Sequence, residues 1–345
     1  MYMIVFMHTL LNGTSYHFSS SIGTINYIVS QYLNVVCSVA VNCFVLISGY
    51  FLIEKSFNWG RVLSLWCQTL FYSLGFAILF YFIQPGEHSF NEIMCSLFPI
   101  TNQTYWFVTD YFGLVCLAPF LSKFSYAINK EEYKSFLLAL TLITTTIVLA
   151  FPFGNAMGVS KGFSLIWFIT LFFWGGYIKR FDNSEDSRKP AVWFAILSFL
   201  VTLYCLLKGF YRHYSYDSFL EVESVAYNGL GFCLALPFFL FFKRIKIRDS
   251  KLTKFFVGLA PYTFGVYLIH ANPHVIGLRN SIIAKYDFTY FMNNASFVVL
   301  TLCLALAVFI ICVFIDIMRK RLFSLLRLDI LMDSLSLRLN KIWPW

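Results

Sequence analysis

His8, Asp110 and His270 are ionisable residues set in stretches otherwise apolar enough to lie in a bilayer. A neutral imidazole beside a carboxylate can take a proton from a hydroxyl, so these three form a candidate catalytic set for general-base chemistry. His270 falls in Pro261 to His274, PYTFGVYLIHANPH, with Tyr267 one helical turn earlier on the same face. An ionisable side chain at membrane depth is expensive and usually faces a cavity or a partner inside the helix bundle. The competing reading makes all three ordinary polar residues at helix ends, wetted by headgroups.

Around them stand residues suited to holding a substrate. Trp106 and Tyr111 flank Asp110, and Tyr267 accompanies His270. Asn42 lies in the middle of another apolar stretch, followed by Ser48-Gly49-Tyr50. Asn42, Ser48 and Tyr50 are candidate substrate contacts. The alternative is structural, because Gly lets helices approach and Ser and Asn bond across them. Ser48 as a nucleophile lacks a histidine at its depth, which argues against that role.

The elements that must position these residues are membrane helices. Of 345 residues, 59% are hydrophobic, 20% aromatic and only 12% charged. The mean hydropathy is +0.70. A soluble domain cannot hide that much apolar surface, so the solvent for most of the chain is lipid. Ten candidate helices are expected, near 1–11, 31–53, 62–83, 105–121, 135–151, 163–178, 191–208, 225–242, 255–273 and 295–318. The first is too short to cross alone, since a span needs about 20 residues.

Charge sets an orientation. With ten helices, 21 of the 26 Lys and Arg fall on one side, leaving Lys161, Lys208, Arg212, Arg279 and Lys285 on the other. The positive-inside rule makes the first side cytoplasmic and puts both termini there. The expected fold is therefore all-α, a polytopic bundle of about ten transmembrane helices in a cell inner membrane. In that frame His8, Asp110 and His270 share a depth in the outer half of the membrane.

The same distribution disposes of nucleic acid as a partner, because insertion topology explains the net charge of +9. The nine cysteines show no CxxC pair, and no metal-ligand spacing or disulfide framework is indicated. The run KRIKIRDSKLTK at 243–254 reads as topogenic charge, with phosphate binding as its alternative. His17, His88 and His213 fall in outer polar loops and read as solvated. Glu87, Glu92, Asp217, Glu221 and Glu223 make those loops acidic without an evident pairing. From Arg319 to Trp345 the sequence alternates apolar and basic residues, as an amphipathic helix on the inner membrane surface would. The expected division is a membrane domain over 1–318 and this tail over 319–345.

Three stretches resemble the integral-membrane acyltransferase family 3, the bacterial O-acyltransferases of surface polysaccharides. They are SVAVNCFVLISGYFL at 38–52, YWFVTDYFGLVCLAPFL at 105–121 and LAPYTFGVYLIHANP at 259–273. The resemblance implies transfer of an acyl group, usually acetyl from cytoplasmic acetyl-CoA, to a hydroxyl of a cell-envelope glycan or its lipid-linked precursor. It implies no bound cofactor beyond the donor. His8 matches the family's first-helix histidine in place and surroundings. Family members usually carry a basic residue about ten positions before it; here the chain begins seven before, so an upstream start is expected. Lys55 and Arg61 are the nearest counterparts of the family's paired arginines and the candidate donor-binding residues. A glycolipid flippase or transporter without acyl chemistry is the competing class, and a polysaccharide polymerase or ligase a third.

Overall fold

The computed structural model describes residues 1–11, 24–146, 158–216, 225–285 and 296–342. Among them the chain is all-helical. His17, Asp217, Glu221 and Glu223, and the anticipated break at Asn12-Gly13, lie outside the described residues.

The helices are α1 (Tyr2–Thr9), α2 (Ile25–Cys37), α3 (Val39–Leu52), α4 (Trp59–Ile83), α5 (Phe90–Ser96), α6 (Trp106–Ala127) and α7 (Lys130–Thr141). They continue as α8 (Leu165–Phe181), α9 (Arg188–Tyr216), α10 (Leu230–Arg244), α11 (Lys251–Leu259), α12 (Thr263–His270) and α13 (Pro273–Lys285). The long α14 (Ser296–Leu325) and α15 (Leu328–Ile342) complete the order. Helix occurs in each of the ten segments expected from the sequence, but not with equal length. Six stretches are long and apolar enough to cross a membrane by length and composition: 25–52, 59–83, 106–127, 188–215, 251–270 and 296–325. Large apolar side chains such as Phe82, Val299, Ile310 and Phe314 face outward, as lipid-facing positions do.

Local chemistry sets the boundaries. The Thr24 hydroxyl accepts from the Tyr27 N–H and starts α2 six residues earlier than the hydropathy suggests. Pro261 cannot donate a backbone N–H, and the expected 255–273 helix is interrupted there. It becomes α11, a 3₁₀ turn over Ala260–Tyr262, and α12.

Two glycines bring α3 and α8 into backbone contact. A Cβ on Gly49 would collide with the Phe172 carbonyl, and one on Gly175 with the Leu46 carbonyl. Only a residue without a side chain fits either place.

The tail differs from its expected form. Helix α14 runs past residue 318 to Leu325, and the chain turns at Arg327 (φ 55°) before α15. Arg319 therefore belongs to the core rather than to the surface tail. Its Nε bonds Asp316 Oδ1 at 2.9 Å, its Nη2 bonds Oδ2 at 3.1 Å, and the Tyr72 hydroxyl donates to Oδ1 at 2.7 Å. Asp316 is fully buried, and a Cβ on Gly265 of α12 would run into its carboxylate. This satisfied ion pair is the surface on which α12 rests.

Candidate active site

Helix α12 carries His270 at its last position, and two hydrogen bonds fix that end. The Tyr105 hydroxyl, at the start of α6, donates to the Leu268 carbonyl at 3.0 Å. It also accepts from Asn272 Nδ2 at 2.8 Å. With Asp316 beneath Gly265, the short helix is held at both ends.

The His270 imidazole is buried, with Nδ1 2.6 Å from the Val266 carbonyl. A carbonyl can only accept, so Nδ1 carries the proton and Nε2 presents its lone pair. That Nε2 stands 3.2 Å from Nδ1 of His8, and the two ring centroids are 5.1 Å apart. His8 Nδ1 must then donate, which leaves Nε2 of His8 as a free lone pair. That tautomer leaves the basic nitrogen of the pair on His8, with His270 accepting the His8 N–H.

His8 opens onto a narrow cleft lined by Met1, Ile4, Val41, Phe44, Trp106 and Tyr267 among others. Trp106 stacks on Tyr227 with centroids 6.1 Å apart, and Phe107 packs edge-on to Tyr267 at 5.5 Å. Arg279 of α13 acts electrostatically on both imidazoles. Its Nε and Nη2 are buried and have no hydrogen-bond partner among the described residues. A guanidinium so placed is a ready site for negative charge.

The other sequence candidates separate. Asp110 turns toward the backbone of Leu165, and no hydrogen bond joins it to either imidazole among the described residues. Asn42 is spent on structure: it donates to the Tyr227 carbonyl at 2.7 Å and accepts from Trp167 Nε1 at 3.0 Å. Ser48 donates to the Phe44 carbonyl at 2.9 Å and lies 3.2 Å from the Tyr111 hydroxyl, below the cleft. Tyr50 packs against Phe239 and receives Lys179 over its ring at 5.1 Å. Lys55 and Arg61 line a separate polar cleft with Leu52, Ser56, Asn58 and Pro119, at the other end of α3.

Tyr105, Asn272 and Arg279 were not among the sequence candidates. Tyr105 and Asn272 do lie within the stretches that carry the family resemblance, as the first residue of YWFVTD and the residue two after His270. Arg279 had a faint signal, as one of only five basic residues on the sparse side of the charge distribution.

A family model described as an acyltransferase domain matches residues 1–317. No curated protein and no solved structure matches the chain.

Proposed function

The chain belongs to acyltransferase family 3, and we propose that His8 is the general base with which it acylates a hydroxyl of a cell-envelope glycan or its lipid-linked precursor. It is an acyltransferase and a membrane protein; the donor, acceptor and roles that follow are our reading. The observation that carries it is the His270 Nδ1 contact with the Val266 carbonyl, which through the imidazole pair frees Nε2 of His8 at the cleft.

In this reading the donor is a cytoplasmic acyl-CoA, probed as acetyl-CoA. The acceptor O–H gives its proton to His8 Nε2 as its oxygen attacks the thioester carbonyl. The resulting imidazolium is stabilised by His270 Nε2, to which His8 Nδ1–H still donates. Arg279 supplies positive charge for the tetrahedral oxyanion. Collapse breaks the C–S bond, and the thiolate recovers the proton from His8, giving an ester and a free thiol. Trp106 and Tyr267 offer flat apolar walls suited to a sugar face. Lys55 and Arg61 would hold donor phosphates at the far end of α3. Ten crossings, both termini in the cytoplasm and residence in the inner membrane belong to the same proposal, resting on the Lys and Arg asymmetry.

Mass spectrometry of surface glycan from a deletion strain tests it. Loss of one acetyl mass per repeat, restored by the wild-type gene and not by His8→Ala at equal abundance, is the expected result. An unchanged glycan in the deletion strain would overturn the acceptor assignment.

A further inference from the structure

Away from the imidazole pair, His88, Glu92 and His274 gather on the loop side of the bundle. Each offers one ligand atom, and those atoms all lie within 4.8 Å of one another. His88 precedes α5, Glu92 lies in its first turn, and His274 is the second residue of α13. The sequence alone reads His88 as solvated, yet its side chain is only 18% exposed.

The cluster is orientated as a metal site requires. His88 Nδ1 meets Glu92 Oε2 at 2.9 Å, while its Nε2 sits 3.1 Å from Gln84 Oε1. The far nitrogen of a metal-bound imidazole needs just such an acceptor, so the outer partner is already in place. Glu92 Oε1 is occupied by the capping box, accepting from the Ser89 N–H at 3.2 Å, which leaves Oε2 turned to the cluster. The His274 ring is held by stacking on Phe80, with centroids 5.5 Å and planes 18° apart, and meets His88 edge-on at 4.7 Å.

We propose that His88, Glu92 and His274 bind one zinc ion that ties the α4–α5 loop to the chain just after His270. Two imidazoles and one carboxylate are a borderline nitrogen and oxygen donor set, which suits Zn(II) with water as the fourth ligand. Ligand atoms around a tetrahedral zinc stand about 3.3 Å apart, from bond lengths near 2.0–2.1 Å. The present spacing brackets that value, from 2.9 Å between His88 Nδ1 and Glu92 Oε2 to no more than 4.8 Å across the set. Because His274 follows His270 by four residues, the ion would brace the same end that Tyr105 and Asn272 hold.

Full-length protein without a polyhistidine tag, purified in detergent, is titrated with Co(II) as a spectroscopic stand-in. One equivalent should produce the intense visible absorption of tetrahedral Co(II), and Zn(II) should bleach it. His88→Ala, Glu92→Gln and His274→Ala should each weaken binding about tenfold or more, roughly the loss known for disturbed metal shells. His213→Ala, outside the cluster, should not. Zn(II) should also raise the thermal midpoint of the wild type and of His213→Ala, but not of Glu92→Gln, whose carboxamide keeps the shape. Absence of a tetrahedral spectrum in the wild type, a spectrum that persists in the His88→Ala/His274→Ala double variant, or an equal Zn(II) stabilisation of every variant would overturn the site.

Discussion

Nδ1 of His8 and Nε2 of His270 face each other at 3.2 Å, joining the first helix to a residue 262 positions later. The Val266 carbonyl behind His270 sets the tautomer of both rings. The two rings thus form one hydrogen-bonded unit built from opposite ends of the sequence.

Removing the proposed base should lower turnover severely. His8→Ala and His8→Gln should each lower acetylation by about 10² to 10⁴, with membrane abundance near the wild-type level. Acetyl content of the surface glycan at matched protein levels checks this. Full acetylation in both variants would remove His8 from the mechanism.

His270→Gln should cost less, about ten- to a hundredfold, the range seen when the partner that orients an imidazole is lost. If His270 orients His8 as proposed, the fall should appear in kcat with KM nearly unchanged. A rise in KM alone would place His270 in substrate binding instead.

Arg279→Ala should lower kcat by about 10²-fold, as loss of an oxyanion contact does, and Arg279→Lys should recover part of it. Initial rates at saturating donor distinguish this from weaker binding. An unaffected Arg279→Ala enzyme would assign the charge on the intermediate to another group.

The ion pair beneath α12 predicts a stability effect. Asp316→Ala strands the buried Arg319 guanidinium and should cost about 3–5 kcal/mol. Gly265→Ala should act alike by forcing a methyl into the Asp316 carboxylate. Thermal unfolding in detergent reports both, and a midpoint unchanged by either would show that α12 does not depend on this contact.

At the far ends of α8 and α10, Asp182 pairs with Lys243 at 2.9 Å and with Arg244 at 3.0 Å. Partial burial pushes its carboxyl up, but hydrogen bonds from Lys243 and Arg244 outweigh this and hold it below the usual range. A lowered folded value stabilises the protein above the unfolded carboxylate value of about 3.9, and this is lost as pH falls through the folded one. Asp182→Asn should therefore lower stability slightly near neutral pH, by no more than about 1 kcal/mol, read as a lower thermal midpoint. The gap from wild type should close in strong acid; a gap constant across pH would exclude the ion pair as its source.

How much could be read from the sequence depended on the range of the interaction. Hydropathy places helix in every expected segment, because lipid-facing surface is a property of each segment alone. It misjudges length where a cap or a proline decides, as at Thr24 and Pro261. His8 and His270 are legible as costly polar residues, but their contact is not, since depth along two helices says nothing of which faces meet. Asp110 shares the residue chemistry yet turns to Leu165, and Asn42 turns to Trp167 and Tyr227. Arg319 looks like tail charge because its partner, Asp316, is visible only once α14 is seen to continue through it. Tyr105 and Asn272 act through one hydroxyl and one amide, which no periodicity marks.

The glycine contact between α3 and α8 turns α3 into a ruler. Val41 lines the cleft of His8 and Leu52 lines that of Lys55 and Arg61. At 1.5 Å per residue those eleven steps span about 16 Å. With Gly49 and Gly175 pressed onto the facing backbone, neither helix can slide to shorten that interval. A donor whose phosphates rest at Lys55 and Arg61 must deliver its thioester on a tether of that reach, so tether length becomes a criterion of donor selection.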